Sequence, residues 1–147
     1  EADTIAIQPY SLFWSLMSLS TEQFNTIEKY DEEKRLRYFL TEVIKHQAVW
    51  ILADEHGCMM LNTEEEDCVP VWPNEVFATP WATGEWQACK AQAIPLATWL
   101  SRWSPGLSDD DLALVIFPNQ DNQGLVFFPD ELDEALRKAQ QKQQQKS

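Results

Sequence analysis

Apolar and polar positions along the chain change period several times, and each change marks an element. Residues Glu1 to Tyr10 show no periodicity and read as a loose lead-in; Leu12, Phe13, Leu16 and Met17 then recur at helical spacing, as a short helix or a partner-facing flap. Ser20 followed by Gln23 has the spacing of a capping box, so a helix should begin there. Leu36, Phe39, Leu40, Val43 and Ile44 fall at i, i+3, i+4, i+7 and i+8, one buried stripe. Asp31, Glu32, Glu33, Lys34, Arg35 and Arg37 fill the remaining faces. This helix runs to about His46, with a break near Tyr30 and Asp31.

From Ala48 the period shortens. AVWILA (Ala48 to Ala53), a DEHG turn and CMML (Cys58 to Leu61) predict a β-hairpin. After the polar run TEEED, Val69 to Trp72 predicts a strand, Pro73 the first turn of a short helix interrupted at Pro80, and Trp86 to Ile94 another strand. Pro95 to Trp103 predicts a helix with Leu96, Trp99, Leu100 and Trp103 on one side, and SPGLSDDD a loop. LALVIF (Leu112 to Phe117) is a strand covered on both faces, NQDNQG a turn, Leu125 to Phe128 its partner, and Pro129 to Lys138 a closing helix with Leu132, Ala135 and Leu136 inward. The expected fold is α+β, with helices packed on a mostly antiparallel or mixed sheet. It is one domain over residues 20–138, between an N-terminal extension (1–19) and a frayed low-complexity tail (139–147).

Composition supports a folded single domain. The chain has 147 residues, 44% hydrophobic and 12% aromatic, enough apolar surface to offset chain entropy. Three tryptophans and three prolines fall within Val69 to Trp86. Trp50, Trp72 and Trp99 read as core; Trp81, Trp86 and Trp103 stand nearer to bends, where Trp81 and Trp86 would form an aromatic rim.

Charge narrows the function classes. Lys+Arg 11 against Asp+Glu 24 gives a formal net charge of −13, which repels nucleic acid and anionic lipid and favours basic partners. The acids occur in runs: DEE at 31–33, Glu64, Glu65, Glu66 and Asp67, then Asp109, Asp110 and Asp111, and DELDE at 130–134. Such runs ordinarily make solvated faces; two or three on one side would make a docking surface for a basic protein. Cys58, Cys68 and Cys89 are an odd set without CxxC spacing, which suits a reducing cytoplasm rather than a disulfide framework or zinc knuckle. No apolar run approaches the roughly 20 residues that cross a bilayer, and SLFWSLMSLS lacks a basic leader and cleavage pattern.

Catalytic grammar is sparse. No GxSxG, HExxH, phosphate-loop or dinucleotide pattern occurs. Asp54, His56 and Cys58 alternate across a turn, but neither a zinc nor a calcium ligand set is complete, so no metal or cofactor is expected. Cys58 and His56, two apart, could share a strand face as nucleophile and base; a buried hairpin cysteine is the plainer reading.

RLRYFL, VWIL with DEHG, PVWP, IPLATWL and LVIFP together resemble a family of small bacterial proteins catalogued as a domain of unknown function, over roughly Leu36 to Leu136. The order of elements and LVIFP also resemble, more distantly, the SseB-like domain, which is α+β without assigned catalytic residues. Both resemblances imply a cytoplasmic bacterial module and transfer no site residue. The expectation is therefore a non-enzymatic acidic protein-binding module, an inhibitor or regulatory adaptor of a basic protein such as one that binds nucleic acid; the module itself contacts neither nucleic acid nor membrane. The rival is an enzyme or small-molecule binder with a pocket near Cys58 and His56.

Overall fold

The computed structural model describes residues 21–62, 67–119 and 124–146. They fall into two compact units divided between Tyr30 and Asp31. In the first, helix α1 covers Thr21–Glu28, where the capping-box spacing predicts it. The expectations for residues 1–19 lie outside the described residues.

The second unit opens with α2, Glu32–His46. Asp31 caps it, its carboxylate accepting the Lys34 amide at 2.9 Å, and Gln47 ends it in the left-handed conformation. The buried positions are Arg35, Phe39, Val43 and Ile44, while Leu36 and Leu40 are only half-buried. The inward stripe is thus rotated from the expected one, and a charged residue takes the place of a leucine. Arg35 keeps that place because its charge is answered: Nε–H donates to the Phe117 carbonyl at 2.8 Å, and its guanidinium carbon lies 3.9 Å from the Phe117 ring centroid. Tyr38, Phe77 and Phe117 close around it, with Phe77 and Phe117 centroids 4.7 Å apart.

Strand β1 (Ala48–Asp54) turns through DEHG into β2 (Gly57–Cys58), antiparallel with Ala53 opposite Cys58. Asp54 Oδ1 accepts the His56 amide at 2.8 Å, and Gly57 takes a φ of 137° that a side chain would resist. The hairpin then departs from expectation. Leu61–Asn62 leaves β1 and becomes β3, paired with β4 (Asp67–Val71) in a second sheet. The sheets have orders β2-β1-β5 and β3-β4-β6-β7, where β5 is Lys90–Pro95, β6 Ala113–Ile116 and β7 Leu125–Phe127. They are joined by a single antiparallel bridge: Trp50 N–H donates to the Trp72 carbonyl at 3.1 Å, and Trp72 N–H to the Trp50 carbonyl at 2.9 Å.

That bridge explains how PVWP sits in the middle of a sheet. Along β4 the backbone groups face opposite edges alternately. Val71 accepts the Phe117 amide at 2.8 Å on the β6 side, and Trp72 bonds Trp50 on the other. Pro70 therefore faces the β1 and β3 side, between the Cys68–Leu61 pair and the Trp72–Trp50 bridge. Its missing amide falls in the gap between two partners, where no ladder bond is lost. Asn74 rather than Pro73 caps the short helix α3 (Glu75–Ala78), its Oδ1 accepting the Val76 amide at 3.0 Å. Pro73 is thus the residue before the cap. A 3₁₀ turn (Thr79–Trp81) takes up Pro80, and a second one covers Gly84–Trp86, so β5 starts later than the expected Trp86.

Three further helical segments complete the unit. Helix α4 (Leu96–Thr98), a π turn (Trp99–Trp103) and α5 (Ser104–Asp109) form one continuous run, so most of SPGLSDDD is helix and not loop. The π turn carries a bond from Ser104 N–H to the Trp99 carbonyl, and the widened turn delivers Pro105 to the opening turn of α5, where no amide is needed. Helix α6 spans Pro129–Lys146, eight residues past Lys138, because Ala, Gln and Lys are all good helix formers. Leu132 and Leu136 face inward as expected. Trp72 and Trp99 are wholly buried, whereas Trp50 is half-buried. The architecture is α+β.

Arg35→Ala removes a stem from the core and leaves the Phe117 carbonyl without its donor. It should lower unfolding free energy by about 3 kcal/mol. Arg35→Lys should recover only part of this, since an ammonium cannot reproduce the planar stack over Phe117. Urea denaturation of the three chains measures both effects.

Candidate functional site: an acidic end of the sheet

The topology gathers acids that are distant in sequence. Strands β4 and β6 run parallel, starting in register at Cys68 and Ala113. One residue earlier stand Asp67 and Leu112, with Asp109, Asp110 and Asp111 immediately upstream. Strand β7 runs antiparallel with Leu114 opposite Phe127, so its exit, Phe128 to Glu131, returns to the same end. Asp67, Asp109, Asp110, Asp111, Asp130 and Glu131 are all exposed there. Glu131 is partly engaged, its Oε1 accepting the Phe128 amide at 2.8 Å. Glu64, Glu65 and Glu66 lie outside the described residues. The DEE run at 31–33 is elsewhere: it opens α2, and Arg35, one turn on, meets Phe117 beyond the opposite end of β6.

The aspartates at 109–111 sit on the C-terminus of α5, where the helix dipole presents partial negative charge, so they oppose the local field. Asp111 ends the run with a φ of 57°, a conformation aspartate tolerates better than most side chains. Beside the acids are two exposed apolar side chains, Val126 (48% exposed) and Phe128 (51%). Their spacing of two puts them on one side of the strand. The signal for Val126 and Phe128 in the sequence is the alternation in LVFF, with Leu125 and Phe127 half-buried.

The aromatic rim is not part of this end. Trp81 is half-buried against Trp72, ring centroids 6.0 Å apart, near the exit of β4 rather than its start. Its indole nitrogen is buried and meets no acceptor among the described residues. Trp86, also half-buried, ends the 3₁₀ turn ahead of β5, and its carbonyl accepts the Cys89 amide at 2.9 Å. Trp103 stacks on Trp99 at 5.9 Å.

Around the hairpin turn, Cys58 and His56 stand in different surroundings. The His56 side chain is 84% exposed and stands 3.5 Å from Glu55. Burial pushes the Cys58 thiol up, against a smaller lowering by a backbone hydrogen bond. Cys89 is raised too, by burial first and then by the charges of Asp54 and Cys58. Among the described residues no group of three or more His, Cys, Asp or Glu could hold a metal ion, and no helix is long and apolar enough to cross a membrane.

One carboxyl has a shifted titration. Burial raises Asp133; a 2.7 Å hydrogen bond from the Ser104 hydroxyl and the nearby Arg137 pull it down, and Asp130 pushes it up again. It ties α5 to α6 at the root of the acidic end. Because the folded state favours its protonated form, the charge costs stability at neutral pH, and the cost is relieved as pH falls through the raised value toward the ordinary carboxyl range near ~3.9. Asp133→Asn, which still offers Ser104 an acceptor, should be at least as stable as the parent at pH 7, with the difference shrinking by pH 4.5; urea titrations at the two pH values check this. Iodoacetamide at pH 8 should modify Cys58 and Cys89 more slowly in the folded chain than in the urea-unfolded chain, as mass spectrometry would record.

No curated protein matches the chain. The resemblance to the SseB-like domain is not shown by the family match. Residues 36–136, from the second turn of α2 to the middle of α6, match the family described as Protein of unknown function (DUF2750), and with most of its length so covered the chain belongs to that family.

Proposed function

We propose that the protein is a non-enzymatic binding module for a basic protein, an inhibitor or regulatory adaptor working in a bacterial cytoplasm. The observation that carries this reading is the convergence of Asp67, Asp109 to Asp111 and Asp130 on one end of the β4-β6-β7 sheet, around exposed Val126 and Phe128. Apolar anchors within a ring of like charge suit a partner that offers an apolar contact surrounded by Lys and Arg. The position of the aspartates on a helix C-terminus supports it further, because they weaken the fold locally, as binding residues often do. The same negative field disfavours direct contact with nucleic acid or anionic membrane.

Replacing Asp109 and Asp110 by lysine separates binding from folding. The double variant should gain about 0.5 kcal/mol per site at low ionic strength, since cations suit a helix C-terminus. Its capture of a basic protein from bacterial lysate should fall, and capture by the parent should weaken between 50 and 500 mM salt (roughly from a Debye length above 10 Å to one near 4 Å). Undiminished capture by the variant, or a partner that is acidic, would defeat the reading.

A further inference from the structure

A second surface has the opposite character. Helices α2 and α6 pack side by side and leave between them an open groove of about 790 Å³. Arg37 and Lys45 stand on one wall, Lys138 and Lys142 on the other, and no Asp or Glu among the described residues lines it. Four of the chain's eleven cations therefore meet at one place on a molecule of net charge −13. Lys138 lies 3.4 Å from Glu134, both side chains largely exposed. Between the cations lie apolar side chains, Leu40 and Ile44 from α2 and Ala135 and Ala139 from α6.

We propose that this groove binds an acidic amphipathic helix of a partner protein. Three features select that occupant. The floor is apolar, which suits aliphatic side chains and disfavours a strongly hydrated phosphate. Each wall spans nine residues, Arg37 to Lys45 and Ala135 to Gln143, or about 12 Å at helical rise, the span of apolar anchors at i, i+4 and i+7 on a docked helix. Ala135 and Ala139 are small, so a third helix approaches closely and brings its flanking Glu and Asp under both cationic rims. Lys138, Ala139, Lys142 and Gln143 lie past the family-matched residues, so this surface is read from this chain alone. It is independent of the acidic end, and either surface can fail while the other stands.

The test uses the full chain and three synthetic 16-residue peptides of defined sequence. The first is a helix with Leu at i, i+4, i+7 and i+11 and Glu on both flanks; the second has Lys in place of every Glu; the third scrambles the first. Calorimetric titration at about 50 mM salt should show binding of the first peptide at least tenfold tighter than the scramble. Arg37→Glu with Lys142→Glu, one exposed cation from each wall, should weaken it by about tenfold or more. Ala139→Phe, which fills the floor and leaves every charge in place, should abolish it while circular dichroism stays unchanged. Equal binding of the scramble, no loss in either variant, tighter binding of the lysine peptide, or absence of binding would each overturn the proposal. Displacement of the first peptide by oligo-dT or by phosphatidylglycerol vesicles would overturn it in favour of a polyphosphate or membrane surface.

Discussion

The backbone bridge between Trp50 and Trp72 is the contact on which the architecture turns. Without it the two sheets share no hydrogen bond in the described ladders; with it, β1 is tied to the end of β4. The bridge needs Trp72 to present its amide and carbonyl to β1, which fixes the alternation along β4 and assigns Pro70 to the vacant stretch between β3 and β1. A proline and a buried tryptophan two residues apart thus solve one problem: one ends pairing with β3, and the other begins pairing with β1. Beneath the bridge, Phe117 donates its amide to Val71 and accepts Arg35 at its carbonyl, in a left-handed conformation that costs on the order of 1 kcal/mol.

Charge is distributed by the same topology. Parallel pairing of β4 and β6 brings their two entries together, and antiparallel β7 returns its exit to that end, so acids some forty residues apart by their numbers become neighbours. The cations collect where two long helices face each other. Fields of opposite sign thus stand on separate surfaces of an acidic protein. Asp133, whose carboxyl burial holds above the ordinary range, is occupied in tying helices together through Ser104.

Much of the secondary structure was legible because local signals agreed. The break near Tyr30 and Asp31, the all-apolar ALVI and the DEHG turn each have one natural reading, and each folds that way. Departures occur where a distant partner changes the value of a local signal. Arg35 reads as surface on any helical wheel, yet Phe117, 82 residues away, makes it interior. SPGLSDDD has the composition of a loop, yet a π turn places its proline where helix tolerates it. CMML reads as one strand, but Met59 donates to Leu52 while Leu61 pairs with Cys68, so it serves two sheets.

Periodicity, caps and composition are properties of neighbouring residues, and they sufficed for the α+β class, most helix starts and the excess of negative charge. Which acids stand together, which cations line a groove, and which aromatic rings close upon others depend on strand order and register. Those follow from pairings between residues far apart along the chain, whose energies no local window contains; hence the acidic end with Phe128, and the groove between α2 and α6, emerge only once the backbone has been folded.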